Sequence, residues 1–262
     1  MKILCWNVWG LGNPRTFRTL RSLLRKENSE LVFLSETRLE KGSMDRIWCS
    51  FGFEGCFGVD RDGLGGGLLL LWRDKIDITI HSYSKGHIDS TVVDEEGTSW
   101  RFTGFYGEPN QNLRLHSWEL LRRLKSLSGL PWLVGGDFNE ILRDEEKSGG
   151  KGRSSRLMSQ FKNVIDDCNL LDLGFNGHPF TWVNRQGGDK LVKERIDRLL
   201  YCLKWRALFP EARVMHLNFE GSDHLPILVE RAKLKILEKG ERSGNPDSIL
   251  RKLGLRRRTA RT

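Results

Sequence analysis

Two packed β-sheets with helices on their outer faces are the fold class this sequence predicts, an α/β (α+β) arrangement. Three observations carry the expectation. About ten short apolar runs have β-like patterning, a few amphipathic stretches at helical spacing lie between them, and polar residues stand where several of the apolar runs end. Hydrophobic residues make up 38% of the 262 positions, with nine Trp and thirteen Phe, which is material for a sizeable core. Two-layered β folds often run past about 200 residues without dividing, so one domain over residues 1–230 is expected.

The elements follow in order. Lys2 to Val8 is a candidate strand, and Asn13-Pro14 then supplies an N-cap and a first-turn proline for a helix with Phe17, Leu20, Leu23 and Leu24 on one face. Glu30 to Thr37 and Gly65 to Trp72 are further strands, the second entered through a glycine-rich turn. That turn lacks the Lys-Ser/Thr ending of a phosphate loop. Ile76 to His81, Ser90 to Val93 and Trp100 to Tyr106 continue as strands, with a hairpin turn at Asp94-Glu95-Glu96-Gly97. Leu113 to Leu127 places Leu115, Trp118, Leu121 and Leu124 near helical spacing. Pro131 to Gly136 is a strand that delivers Asp137, residues 144–153 form a surface loop, and Ser154 to Cys168 is a third helix. Strands at Phe180 to Val183, Val192 to Leu200, Ala212 to Phe219 and Pro226 to Val229 complete the set.

Charge is distributed unevenly. Residues 231–262 hold eleven Lys or Arg against three acids, leaving 32 bases and 31 acids in residues 1–230. The body is near neutral, and the tail reads as a basic, disordered segment able to hold a phosphate backbone or to act as a nuclear address. There is no apolar run of the roughly 18 residues a membrane-spanning helix requires, and the start lacks signal-peptide patterning. A soluble monomer with no membrane association and no obligate protein partner is expected, nuclear or otherwise cytoplasmic. Five scattered cysteines without a C-x-x-C pair read as reduced core residues, not as disulfides or a zinc site.

The chemistry concentrates in Gly135-Gly136-Asp137-Phe138-Asn139 and Ser222-Asp223-His224, each following an apolar run. Asn7, Glu36, Tyr106 and Asp197 stand at the ends of other runs. Carboxylate and amide oxygens without clustered His or Cys suit a hard ion, Mg²⁺ or Mn²⁺. Phosphodiester hydrolysis requires an aligned water, a base, and positive charge on the phosphoryl and leaving oxygens, which this inventory supplies. For Asp197 a competing reading is an ion pair with Arg195 or Arg198, since Arg195 and Asp197 would share one face of a strand. His81, His87, His116, His178 and His216 read as surface or packing residues, and Trp6, Trp72, Trp100, Trp118 and Trp132 as core. Trp182 precedes a polar hairpin, Asn184 to Lys190, whose Arg185 and Lys190 are placed to contact a nucleic-acid groove.

Six stretches resemble the endonuclease/exonuclease/phosphatase family, most closely the apurinic-endonuclease-like domain of plant LINE-type non-LTR retrotransposons. They are Ile3 to Gly12 (ILCWNVWGLG), Leu34-Ser35-Glu36-Thr37, Phe105-Tyr106-Gly107, Gly136-Asp137-Phe138-Asn139, Arg195-Ile196-Asp197-Arg198 and Gly221-Ser222-Asp223-His224. The resemblance implies a four-layered α/β sandwich with the site at one rim. It implies Glu36 as the principal Mg²⁺ ligand, with Asp223 and Asn7 near the same or a second ion. Asn7, Tyr106 and Asn139 would bind the scissile phosphate. Asp137 would position or deprotonate water, and His224, oriented by Asp197, would be general base or phosphate-neutralising cation; which of the two takes the proton stays open.

The activity so implied is a Mg²⁺-dependent DNA endonuclease that nicks one strand to leave a 3′-hydroxyl. The alternatives are a phosphodiesterase or phosphatase on a small phosphoester, and an inactive relic or nucleic-acid-binding protein.

Overall fold

The computed structural model describes residues 1–40, 48–63, 65–218 and 221–231. The basic tail expected from residue 231 onward therefore lies, from residue 232, outside the described residues, as does Phe219. Among the described residues no helix is long and apolar enough to cross a membrane.

The chain runs β1 (Lys2–Asn7), α1 (Pro14–Glu27), β2 (Leu31–Ser35), β3 (Gly55–Asp62), β4 (Gly65–Trp72), β5 (Ile76–Ser84), β6 (His87–Asp94) and β7 (Ser99–Tyr106). It continues through α2 (Arg114–Leu127), β8 (Trp132–Asp137), β9 (Lys147–Ser148), α3 (Ser155–Asp167), β10 (Leu171–Asp172), β11 (Asn176–Gly177) and β12 (Trp182–Val183). The last elements are β13 (Lys193–Glu194), β14 (Asp197–Tyr201), α4 (Leu203–Leu208), β15 (Arg213–His216) and β16 (Ile227–Glu230). A seven-stranded sheet has the order β11-β15-β16-β1-β2-β4-β3, and a six-stranded sheet the order β10-β14-β8-β7-β6-β5. A small third sheet, β12-β13-β9, stands apart. This is the two-sheet α/β sandwich the sequence predicts, with mixed sheets.

Local chemistry explains the elements. Asn13 caps α1 by accepting from the Arg15 backbone N–H at 2.9 Å, and Pro14 opens the helix, where its missing donor is not required. Leu20, Leu23 and Leu24 of α1 join Leu4, Trp6, Val32 and Leu34 from one face of the first sheet in a buried cluster. The alternate residues of the same strands, Ile3, Cys5, Leu31 and Phe33, point the other way into the larger core shared with Phe102, Val134 and Leu199 of the second sheet. The second sheet is covered by α2 and α3, where Trp118 stacks on Phe161 with ring centroids 6.1 Å apart.

Several boundaries differ from the expected ones. In α2 Leu115 is exposed while Arg114 is buried and pairs with Glu140 at 2.6 Å, so an arginine with a buried partner takes the inward position. The run Val192 to Leu200 is not one strand. It divides into β13 and β14 because the Ile196 and Asp197 amides both donate to the Thr181 hydroxyl instead of to a neighbouring strand. Strand β3 escaped prediction: it is an edge strand, half-buried along most of its length, so Gly55 to Asp62 carries no clean alternation. Of the five cysteines, all free, Cys5, Cys168 and Cys202 are buried as expected, but Cys49 is exposed and Cys56 half-buried.

The sheets approach so closely at Gly104 of β7 that an added Cβ would fall 2.2 Å from the Phe33 ring of β2. Gly104→Val is expected to lower unfolding stability by about 1–3 kcal/mol in urea denaturation, the usual range for overpacking. An unchanged midpoint would contradict this account of the inter-sheet contact.

Two buried histidines make stability acid-sensitive. His87 places Nε2 3.0 Å from the Ser82 hydroxyl and Nδ1 2.7 Å from that of Ser84, and burial pulls its imidazole down to about 4 against the opposing pull of Asp89. Burial likewise lowers His216 to about 4. An unfolded histidine titrates near 6.5, so between those values the unfolded chain binds more protons. Stability from these groups is complete above about 6.5 and is lost as pH falls toward 4. The melting temperature is therefore expected to drop between pH 7 and pH 4; a flat profile over that range would be the contrary result.

Candidate active site

Strand direction gathers the polar residues. Parallel β1 and β2 end together, with Asn7 opposite Ser35 and Glu36 one residue beyond. Parallel β7 and β8 also end together, with Tyr106 opposite Asp137. Asp197 opens β14 opposite Asp137 in antiparallel register. His224 precedes β16 and is bridged to Trp182 of the third sheet. Six residues from distant parts of the chain thus meet at one rim of the two sheets.

Their contacts are specific. The Asn7 side-chain amide donates to Asp137 Oδ2 at 3.0 Å and to Glu36 Oε1 at 3.3 Å, linking the two sheets. The Tyr106 hydroxyl donates to the same Glu36 oxygen at 2.8 Å. Asp137 Oδ1 accepts the Asn139 backbone N–H at 2.8 Å, and the Asn139 side chain donates to the Gly107 carbonyl at 2.8 Å. Glu36 and Asn139 both have left-handed backbone, at φ +51° and +56°, which turns each side chain out of its strand direction.

His224 is held between two carboxylates. Its Nδ1 lies 2.9 Å from Asp197 Oδ2, and its Nε2 lies 3.8 Å from Asp137 Oδ2. The ion pair considered for Asp197 is replaced by this contact. Arg195 and Arg198 instead bind Glu146 and Asp172, each at 2.7–2.9 Å, in a buried network on the other side of the strand break. Asp223 accepts the Trp182 indole N–H at 2.9 Å, and the Ser222 hydroxyl ties the segment to β1 by donating to the Asn7 carbonyl at 2.7 Å.

Burial shapes the charges. Burial first, and the neighbouring Asp197 carboxylate second, push Asp137 up to about 7. Burial pulls the His224 imidazolium down, but Asp197 and Asp137 outweigh it and raise it. Burial, with Glu36 and Asp137 nearby, pushes the Tyr106 phenol up, so it serves as a proton donor to Glu36.

The groups face a cleft of about 210 Å³ lined by Glu36, Asp137, Asn139, Asp223 and His224, with Trp9 and Trp182 at its sides. Sequence reasoning missed Trp9, Arg153 and Glu194 in this lining. Trp9 stood two residues after Asn7 in the first matching stretch, whereas the Arg153–Glu194 ion pair joins residues 41 apart and left no local signal.

Two donor sets are present for a cation. Among the described residues Asp137, Asp197 and His224 form one cluster with ligand atoms within 4.8 Å of one another. Within it, however, His224 Nδ1 and Asp197 Oδ2 are engaged in a hydrogen bond with each other. Glu36 and Asp223, which both line the cleft, make with the Asn7 side-chain oxygen a second, all-oxygen set, whose oxygens likewise accept hydrogen bonds, from Tyr106, Trp182 and the Trp9 amide. That set has the donor chemistry of Mg²⁺ or Mn²⁺.

Rim carboxylates, an Asp-oriented histidine and amide donors on a two-sheet sandwich define a phosphoester hydrolase. The chain belongs to the Endonuclease/Exonuclease/phosphatase family, whose sequence pattern matches residues 4–224. It is a metal-dependent phosphoesterase of that family. No curated protein sequence matches it.

The fold is shared with several solved structures. The 3′-5′ exonuclease NExo from Neisseria meningitidis is 21% identical, with a TM-score of 0.68 over 88% of this chain and 99% of that one. The endonuclease domain of TRAS1, a telomere-specific non-LTR retrotransposon, is 14% identical, with a TM-score of 0.66 over 90% of this chain and 99% of that one. TDP2 from D. rerio, solved with a single-strand DNA product, is 18% identical, with a TM-score of 0.62 over 87% of this chain and 97% of that one.

Proposed function

We propose that this protein is a Mg²⁺-dependent DNA endonuclease of LINE-type retrotransposon origin, which nicks one strand and leaves a 3′-hydroxyl. The observation that carries the choice of a polymer over a small phosphoester is the shape of the rim. The catalytic cleft adjoins a cleft of about 590 Å³ through Trp9, Trp182 and Asp223, and one of about 480 Å³ through Glu36. A strand entering on one side has room to continue on the other, while a small phosphoester would leave both flanking clefts unfilled. The order of the six matching stretches supports the family, and their resemblance to the plant LINE-type domain supports the retrotransposon assignment.

Each residue has a chemical task. Glu36, with Asp223 and Asn7, would hold the cation, which when bound supplies positive charge to the phosphoryl and leaving oxygens. Asn139 and Asn7 would offer amide donors to the phosphate, donors that now bind the Gly107 carbonyl and the Asp137 and Glu36 carboxylates, and Tyr106 fixes the Glu36 carboxylate through its hydroxyl. Asp197 holds His224 in the tautomer with hydrogen on Nδ1 or stabilises its imidazolium, so that Nε2 faces Asp137 and the cleft. Asp137 accepts the proton of the attacking water, and His224 neutralises a non-bridging phosphoryl oxygen.

The test compares substrates. A duplex oligonucleotide should be nicked in Mg²⁺ with binding that weakens steeply as salt rises from 50 to 200 mM. Activity confined to soluble phosphoesters would assign the same site to a small substrate instead.

A further inference from the structure

We propose that Trp9, flanked by Arg38 and Arg185, is a stacking site for an unpaired nucleobase beside the scissile phosphodiester; this rests on the nuclease reading above. The Trp9 indole is 48% exposed, although it follows directly on the buried residues Asn7 and Val8. It lines both the catalytic cleft and the larger cleft next to it. The Arg38 and Arg185 guanidiniums both lie over its ring, their central carbons 5.3 and 5.7 Å from the ring centre.

The backbone that carries the ring is fixed relative to the catalytic groups. The Trp9 amide donates to Asn7 Oδ1 at 3.3 Å, and the amides on either side donate to the Ser35 and Glu36 carbonyls at 3.0 and 2.8 Å. Arg38 is tethered in turn, through Nη2, to Glu36 Oε2 at 3.4 Å. A ligand stacked on this indole would therefore sit in constant register with Glu36 and Asn7.

Backbone conformation marks the same three residues. Among the described residues seven other than glycine have positive φ. Two of them, Asn28 and Asn169, lie at helix C-terminal ends, where asparagine commonly adopts it. The other five are Glu36 and Asn139 of the site, and Trp9, Arg38 and Arg185 at φ +48°, +53° and +55°. A bulky aromatic side chain gains nothing locally from this conformation, so its presence here points to a task for the ring.

The chemistry that matches is a nucleobase. Every base has a π-face that stacks on an indole; the guanidiniums over the ring hold that place until a base displaces one of them, which is then free to pair with a flanking phosphate. A base inside a duplex already has both faces covered, so the site selects a nucleotide that is single-stranded, mismatched or turned out of the helix. The polar hairpin carrying Arg185 thereby acquires a task narrower than general groove contact: it closes one side of the stacking site.

The experiment uses the full chain with a single-stranded 12-nucleotide DNA carrying 2-aminopurine at its centre, in EDTA so that binding is read without cleavage. Wild-type protein is expected to bind by anisotropy and to quench the 2-aminopurine emission. Trp9→Ala should raise Kd roughly tenfold and remove most of the quench, the scale expected for one base–aromatic stack. Trp9→Phe should recover most of both signals, which a merely structural role would not predict, and melting temperatures establish that the variants fold. Equal affinity and quench in wild type and Trp9→Ala, with DNA nicking by wild type intact, would overturn the stacking site alone. A wild-type protein that binds no oligonucleotide would overturn both the stacking site and the nuclease reading.

Discussion

His224→Ala is expected to lower the rate of Mg²⁺-supported phosphodiester hydrolysis by about 10²–10⁴-fold, the range in which positioned proton-transfer and charge-stabilising side chains act. The effect is large because His224 is the one histidine lining the cleft among the described residues. Its Nδ1 is fixed by Asp197 at 2.9 Å, and its Nε2, 3.8 Å from Asp137, carries the N–H of the imidazolium directed at the cleft. Removing it also leaves Asp137 and Asp197, both buried, without the cation between them. A modest loss of thermal stability or a proton taken up by one carboxylate should accompany the kinetic loss. Single-turnover rates on a nicking substrate check the prediction, and a rate within tenfold of wild type would contradict the assigned role.

Asp137→Asn should be of similar size, about 10²–10⁴-fold, for a different reason. The carboxylate accepts at both oxygens, from the Asn139 amide at 2.8 Å and the Asn7 side chain at 3.0 Å. An amide in its place presents one acceptor and one donor, so one of these hydrogen bonds becomes a clash of donors and the proton acceptor for water is gone. The loss should fall on kcat, with substrate affinity within a few-fold of wild type. A variant that loses affinity but keeps kcat would place Asp137 in substrate binding instead.

Much of the site was legible because each of its residues ends an apolar run. Asn7, Tyr106 and Asp137 terminate strands: the interior of β1 alternates between two cores, and those of β7 and β8 send their apolar residues into one core, so the apolar run locates both the strand and its end. Direction made them converge: two parallel pairs, β1–β2 and β7–β8, bring four strand ends to one rim. What the sequence did not display is how charges are shared. Arg195, Arg198 and Asp197 are near neighbours in the chain, yet the strand break at Thr181 sends both arginines to Glu146 and Asp172 and leaves Asp197 to His224. Pattern reading has no access to that break, because it depends on a hydroxyl 15 residues earlier in the chain.

The same limit applies to Trp9. A tryptophan in an apolar-looking stretch is ordinarily core, and Trp6, three residues before it, is 1% exposed. Only the left-handed turn after Val8, tied to Ser35 and Glu36, swings the second indole out to the cleft. Strand β3 and the short helix α4 were missed for lack of amphipathic contrast, and neither supplies a residue of the cleft.

The rim residues are expected to cut DNA with the help of a divalent cation. Supercoiled plasmid incubated with the protein in Mg²⁺ should convert to open circles whose nicks carry 3′-hydroxyls that a polymerase extends directly. EDTA, Asp137→Asn and His224→Ala should each abolish the conversion. Nicking that persists in EDTA or in both variants, or plasmid left intact while soluble phosphoesters are hydrolysed, would contradict the account.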